Sequence, residues 1–306
     1  MESLKMVDTE TAKSGFIAIV GAPNVGKSTL LNKFVGSKVS IVSPKVQTTR
    51  SRVLGICIEG NTQIIFIDTP GIFAPRRRLD RAMVAAAWGG AGDADEVLFL
   101  VDASRGICRD TSDILDKLEE TDRTVYLALN KVDLVRKENL LLLIDELTKR
   151  ATFADIFMIS AETGDGTEEL LSFLAETMPD SPWLFPEDQI SDMPQRLLAA
   201  EITREKIFLM LRQELPYATT VETEKWEEKK DGSVKIDQTI YVERPTQKAI
   251  VLGKNGAQIK SIGESARREL EKLLNVRIHL FLFVKVREKW GDDPERYRDW
   301  GLDYNA

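Results

Sequence analysis

Apolar positions in the first 180 residues fall into short runs rich in β-branched and aromatic side chains, at 16–20, 53–58, 63–67, 97–101, 125–129 and 156–159, and each run predicts a strand. Between them the apolar spacing lengthens to a helical period over 27–36, 110–120, 137–150 and 167–177. Strand alternating with helix predicts an α/β domain, a mostly parallel sheet with helices on both faces. Such a sheet puts its ligand crevice beyond the carboxyl ends of the strands, so chemistry is sought in the loops there.

Pro179, Pro182, Pro186 and Pro194 then crowd one short polar stretch. Proline lacks the amide proton that helices and ladders use, so this stretch reads as a linker. Beyond it the pattern predicts a helix over 195–213, a strand pair around the turn Lys230-Asp231-Gly232-Ser233, helices flanking Gly253–Gly256 and a last strand over 276–286. The order α-β-β-α-α-β belongs to a small α+β domain with its own core. The chain is thus divided into an acidic tail 1–15, an α/β domain 16–180, a linker 181–194, an α+β domain 195–290 and an acidic tail 291–306.

Composition narrows the function. The 306 residues are 43% hydrophobic and 30% charged, enough for two cores and too apolar for disorder. Lys and Arg number 42 against 49 Asp and Glu, a net charge of −7, which excludes a chain coated in positive charge for nucleic acid; DNA is not an expected partner. A local basic face stays open. Cys57 and Cys108 lie 51 residues apart and His279 is the one histidine, so neither a zinc cluster nor a disulfide framework is supported, and a reducing cytosolic compartment is expected. The apolar runs at 97–101 and 140–144 fall far short of a membrane span, and the first fifteen residues lack the features of a signal or transit peptide.

Gly21-Ala22-Pro23-Asn24-Val25-Gly26-Lys27-Ser28 matches the P-loop pattern, directly after one predicted strand and directly before a helix. Glycines let backbone amides turn inward around phosphate oxygens, at a helix N-terminus that favours negative charge. Lys27 is expected on the β- and γ-phosphates and Ser28 on Mg²⁺, with Thr29 beside it. Asp68-Thr69-Pro70-Gly71 ends the strand at 63–67, so Asp68 can hold a magnesium-bound water while the Gly71 amide meets the γ-phosphate. Asn130-Lys131-Val132-Asp133 ends the strand at 125–129, where the Asp133 carboxylate can accept from N1–H and the 2-amino group of guanine, a donor pair that adenine lacks. Ser160-Ala161 ends the next strand and is expected to bring a backbone amide to the guanine O6. These segments, in this order, resemble a translation-factor-class GTPase.

Gln47-Thr48-Thr49-Arg50 lies where such GTPases carry a mobile loop whose threonine binds Mg²⁺ and senses the γ-phosphate; Thr49 is the first choice and Thr48 the alternative. Catalysis is assigned to Lys27, Thr49 and Gly71, and the metal to Ser28, Thr49 and Asp68. Ile72 stands where Ras-like switches place a water-orienting glutamine, so slow intrinsic hydrolysis is expected. In the resembling GTPases an asparagine at the position of Asn24 can help bind a potassium ion beside the phosphates.

The window 244–289 holds eleven Lys and Arg against four Glu, a balance of +7 within a chain of −7. That inversion suits a phosphate-backbone contact surface. Inside it Gly253-Lys254-Asn255-Gly256 forms a GxxG turn between helices, which lets the chain approach a single-stranded backbone. Gly253, Lys254, Asn255, Gly256, Lys260, Arg267 and Arg268 are the candidate RNA contacts. Ile250, Val251, Leu252, Ile259 and Ile262 line the groove or fill the core, and for each core filling is the expectation.

Taken together, these motifs, Ser-Ala-Glu-Thr-Gly at 160–164 and Gly-Lys-Asn-Gly-Ala-Gln-Ile-Lys at 253–260 resemble the Era family, a P-loop GTPase domain followed by a type II K-homology (KH) domain. The likeness extends to Phe185-Pro186-Glu187-Asp188 and Glu214-Leu215-Pro216-Tyr217, with a basic Arg76-Arg77-Arg78 as a departure. It implies GTP and GDP as ligands with Mg²⁺, binding to the 3′ end of 16S ribosomal RNA on the 30S subunit, a role in small-subunit assembly, and a monomer. The alternatives are an RNA chaperone in which hydrolysis is incidental, and a GTPase peripheral to the inner membrane.

Overall fold

The computed structural model describes residues 12–306 apart from 46–48, 51, 76, 121 and 213–214. Gln47, Thr48, Arg76, Gln213, Glu214 and most of the amino-terminal tail therefore lie outside the described residues.

The first domain runs β1 (Lys13–Val20), α1 (Lys27–Val35), β2 (Val53–Glu59), β3 (Thr62–Asp68), α2 (Arg78–Asp93), β4 (Glu96–Asp102), α3 (Arg109–Leu118), β5 (Thr124–Asn130), α4 (Lys137–Thr148), β6 (Ile156–Met158) and α5 (Thr167–Thr177). Its strands form one sheet in the order β2-β3-β1-β4-β5-β6, parallel except where β2 runs antiparallel to β3. Residues 17–20, 64–67 and 98–101 are 0% exposed, which is why the central strands read as unbroken apolar runs: helices cover both faces. β1, β3 and β5 deliver the glycine-rich loop, Asp68 and Asn130 at their carboxyl ends, on one edge of the sheet.

One helix of this domain has no counterpart in the sequence reading. α2 is rich in Ala and Gly, including the pair Gly89-Gly90, so its apolar period is weak and its intrinsic propensity low. Small residues are what its position requires: a Cβ on Gly90 would stand 3.2 Å from Thr69 Cγ2 and 3.3 Å from Ile67 Cγ2. Tertiary packing, not periodicity, makes this helix.

The proline-rich stretch is laid along the sheet. The Ile56 amide donates to the Ile190 carbonyl at 2.9 Å, Ser191 Oγ to the Leu54 carbonyl at 2.7 Å, and the buried Gln63 side chain takes up the backbone of Leu184 and Phe185. The linker thus covers the edge strand β2, an edge otherwise open to pairing.

The second domain runs α6 (Gln195–Met210), β7 (Thr219–Glu228), β8 (Val234–Val242), α7 (Pro245–Leu252), α8 (Ala257–Leu274) and β9 (Ile278–Val286), with β7 antiparallel and β9 parallel to the central β8. α6 ends at Met210, three residues short of the expectation, because Leu211 turns to extended backbone (φ −97°, ψ 156°). Val251 and Ile262 are fully buried and Leu252 and Ile259 partly so. Ile250 departs from the core expectation at 55% exposed, since it lies on the side of α7 turned from the sheet.

Residues 291–306, expected to be an acidic tail, are folded onto the first domain. After a 3₁₀ turn at Trp290–Asp292, α9 (Pro294–Asp299) begins at Asp293, whose carboxylate caps the Glu295 amide. Tyr297 and Leu302 are buried against Ala82 and Met83 of α2, and Trp300 and Tyr304 pack around them. Charge dominates the composition of this stretch, yet four apolar side chains at the right spacing give it a fixed seat.

Candidate nucleotide-binding site

The P-loop turns on two residues with positive φ, Asn24 at +64° and Gly26 at +104°. At Gly26 a side chain is also excluded by space, since a Cβ would lie 2.3 Å from Asn130 Nδ2. Asn130 is the brace of the site: Nδ2 donates to the Val25 carbonyl at 2.7 Å, and Oδ1 accepts from the Ala161 amide at 2.9 Å. Of the Ser160-Ala161 pair, expected to bring a backbone amide to guanine O6, the Ala161 amide is engaged by Asn130, which ties the P-loop to the 160–164 loop. Lys131 Nζ donates to the Asn24 carbonyl at 2.8 Å and to Asp102 at 2.5 Å, fixing its stem along the same edge. Burial pushes the Asp102 carboxyl up, but hydrogen bonds from Lys131 and Ser104 outweigh it and hold the group below its ordinary range. Asp133 is exposed in the 3₁₀ turn Val132–Leu134, its carboxylate at the surface where a base edge can reach it.

Lys27 is 7% exposed and donates to the Gly21 and Ala22 carbonyls at 3.1 Å each. Burial pulls its pKa down to about 8, partly offset by the negative charge of Asp68. Asp68 is 0% exposed; burial pushes its carboxyl up, against the pull of Lys27 and of hydrogen bonds from hydroxyls.

The oxygen set around Asp68 fits a hard divalent cation. Ser28 Oγ donates to Asp68 Oδ2 at 2.8 Å and lies 3.1 Å from Thr49 Oγ1, while Asp68 Oδ1 is buried without a hydrogen-bond partner among the described residues. Sequence reasoning missed Ser40, whose Oγ donates to the same Asp68 Oδ2 at 2.8 Å. A lone serine in a loop carries no motif. It also missed Arg105, with Nη1 3.5 Å from the Pro23 carbonyl.

A cleft of about 340 Å³ is lined by Pro23, Asn24, Gly26, Lys27, Ser28, Thr29, Thr49, Gly71 and Lys131, together with 41–44. Gly71 packs so closely on the P-loop that a Cβ would stand 2.9 Å from Pro23 Cα. Thr69 is turned away from the cleft, its Oγ1 donating to the Ile19 carbonyl at 2.9 Å, and Pro70 is buried beside it. Ile72 is 5% exposed in the main core, so no side chain at that position orients a water. Asn24 Nδ2 donates to the Pro44 carbonyl at 2.8 Å.

In the second domain the Gly253–Gly256 turn has positive φ at Gly253, Asn255 and Gly256, and Lys254, Asn255 and Lys260 are exposed. Arg267 and Arg268 do not join that turn. They lie further along α8 in pairs with Glu271 (3.1 Å) and Glu264 (2.5 Å), and Arg268 lines a separate cleft against 36–38 of the first domain. Helical pairing within α8 absorbs charge that a count along the sequence leaves free.

Residues 16–131 match the family model described as 50S ribosome-binding GTPase, and residues 214–291 match that of the KH domain. The chain is 61% identical over 292 residues to GTPase Era of Rhizobium meliloti (strain 1021), covering 95% of this chain and 93% of that protein. It is 58% identical over 304 residues to GTPase Era of Mesorhizobium japonicum, covering 99% and 98%. Among solved structures, Era in complex with MgGDPNP and nucleotides 1506–1542 of 16S ribosomal RNA is 41% identical with a TM-score of 0.90, over 95% of this chain and 99% of that one. A point variant of Aquifex aeolicus Era bound to GDP·AlF4⁻ is also 41% identical, with a TM-score of 0.89, over 94% and 99%.

Proposed function

The chain belongs to the Era family of GTPases, and from that premise we propose that its conversion of GTP to GDP and phosphate gates the binding of the 3′ region of 16S ribosomal RNA during small-subunit assembly. The observation that carries this reading is that one loop joins the nucleotide site to the KH domain: Thr49 stands at Ser28 and Asp68, while its neighbours Lys45 and Arg50 bond to the end of α6 and the start of β7.

Lys27 is the cation for the β- and γ-phosphates, Gly71 supplies a backbone amide to the γ-phosphate, and Asp133 selects guanine through its paired donors. Ser28, Thr49 and Asp68 would hold Mg²⁺, which neutralises phosphate charge when bound. Asn24 Oδ1 has no hydrogen-bond partner among the described residues and is the atom that would face a potassium ion; its Nδ2 is already spent on Pro44. With Ile72 buried, hydrolysis is slow until RNA or the subunit completes the site.

On the KH side, Lys254, Asn255 and the exposed Ile250 form the rim where a single strand lies, with Lys260 one helical turn on. The protein acts as a cytoplasmic monomer on the 30S subunit. No helix among the described residues is long and apolar enough to cross a membrane, so any hold on the inner membrane is peripheral, through the same basic face.

The test is binding of a 16S 3′-end fragment, followed by fluorescence anisotropy at several salt concentrations and by crosslinking in cells. The wild type binds with a steep salt dependence and crosslinks to the small subunit. Lys254→Asp with Asn255→Asp loses both. Retained binding by that variant, or crosslinks outside the small subunit, would remove the assignment.

A further inference from the structure

The loop between α1 and β2 is gripped from both sides. Toward the nucleotide site it offers Ser40 and Thr49 to Asp68 and Ser28. Toward the KH domain, Lys38 pairs with Glu205 of α6 at 2.7 Å and with Glu269 of α8, and the Val42 amide donates to Glu205 Oε1 at 2.8 Å. Lys45 Nζ donates to the Phe208 and Leu211 carbonyls at the end of α6.

Arg50, the residue after Thr49, points away from the nucleotide and is 5% exposed. Its Nη1 donates to the Thr219 carbonyl at 3.0 Å, and Nη2 lies 3.5 Å from the Tyr217 carbonyl. The guanidinium sits 5.2 Å from the ring centre of Trp290 and 6.0 Å from that of Trp300. A buried guanidinium needs such compensation; here carbonyls accept from its nitrogens and two indole rings lie close to its carbon. The cage is itself fixed. Trp290 Nε1 donates to the Ala218 carbonyl at 3.0 Å, and the two indoles pack edge to face at 6.2 Å. Trp300 continues into the cluster on α2, the helix that follows Gly71.

We propose that Arg50 is a positioning residue for the GTPase reaction: seated in the cage of Trp290 and Trp300, it fixes the backbone at Thr49 and holds that hydroxyl where the γ-phosphate and its metal require it. The carboxyl-terminal segment therefore belongs to the machinery that distinguishes GTP from GDP, because it contacts Arg50 on one side and α2 on the other. This inference rests on the GTPase reading of the site. GDP has no γ-phosphate to engage Thr49, so the cage stabilises the triphosphate complex alone. By linkage, whatever dislodges the indoles lowers the preference for GTP by the factor by which GTP favours the seat.

The experiment compares binding of fluorescent GDPNP and GDP, each with Mg²⁺, to the full-length wild type and to the Arg50→Ala, Arg50→Lys and Trp300→Leu variants. Arg50→Ala is expected to weaken GDPNP on the order of tenfold, within the usual span of a coupling free energy, while GDP stays unchanged. Lysine keeps the charge over the indoles without the fork to the carbonyls, so it restores part of the loss. Trp300→Leu, which keeps a large apolar side chain in the cluster, repeats the Arg50→Ala pattern and guards against a variant that fails to fold. Indole fluorescence of the wild type responds to GDPNP and not to GDP. An unchanged GDPNP-to-GDP ratio in both Arg50→Ala and Trp300→Leu overturns the proposal alone, as does equal weakening of both nucleotides. A wild type that binds neither nucleotide overturns the reading beneath it as well.

Discussion

Binding of GDP should draw a proton onto Lys27, and the amount follows from its surroundings. The ammonium is buried among the Gly21 and Ala22 carbonyls, and desolvation brings its pKa from 10.5 to about 8. A diphosphate placed against it restores the charged form, so the complexed lysine is fully protonated at neutral and mildly alkaline pH. Before binding, roughly half of the lysine is neutral at pH 8 and roughly a tenth at pH 7. GDP binding therefore takes up roughly half a proton at pH 8 and roughly a tenth at pH 7 from this group. Protons released by the terminal phosphate have the opposite sign and fade as pH rises, so uptake at pH 8 reports the lysine. The assay is titration calorimetry at both pH values in buffers of different ionisation enthalpy, where the slope of observed heat gives the proton count. Above pH 8 the affinity falls by up to about tenfold per pH unit. The same linkage acts on the free protein. The unfolded chain holds the extra proton between pH 8 and 10.5, so the burial cost, about 3 kcal/mol in full below pH 8, is relieved as pH rises through that window. Zero uptake at pH 8, or net release there, would refute the reasoning that a buried lysine, only partly offset by Asp68, waits for phosphate.

Two further outcomes follow from packing. Gly26→Ala forces a side chain onto a φ of +104° and within 2.3 Å of Asn130 Nδ2, so nucleotide affinity should drop by at least about tenfold and the melting temperature should fall, both measurable by thermal shift with and without GDP. Tyr297→Ala removes a fully buried ring and a hydroxyl that donates to the Gly291 carbonyl at 2.8 Å, at a cost of about 3–5 kcal/mol to its cluster. Hydrogen exchange should find the amides of 296 and 300–302 protected in the wild type and exposed in this variant; fast exchange in both would show that the segment is a loose tail after all.

Much of the first domain was legible because its strands are covered on both faces and so read as continuous apolar runs, and because phosphate chemistry demands glycines, a lysine and a serine at fixed spacing. The order of Asp68, Asn130 and Ser160 along the chain translated directly into their places at the carboxyl ends of the strands. What escaped was set by tertiary contact. α2 buries alanines and glycines rather than a stripe of large side chains. Residues 290–306 look acidic in composition, yet their fold depends on Trp290, Tyr297, Trp300 and Leu302 meeting α2, far earlier in the chain. Ser40 and Arg50 act through partners that no local spacing reveals. The charge count over 244–289 was right as arithmetic, but it could not tell that Arg267 and Arg268 spend their charge on neighbouring glutamates while Lys254 does not sit in any ion pair among the described residues.

The central claim is that a carboxylate at position 133 reads the purine while the loop at 21–28 cradles its phosphates, and calorimetry of GTP, ATP and XTP against the wild type and Asp133→Asn tests it most directly. The account predicts tight GTP binding by the wild type with ATP weaker by several orders of magnitude, and a variant that loses GTP and gains XTP. Equal affinity of the wild type for ATP and GTP, or an Asp133→Asn protein that still prefers GTP to XTP, would contradict it.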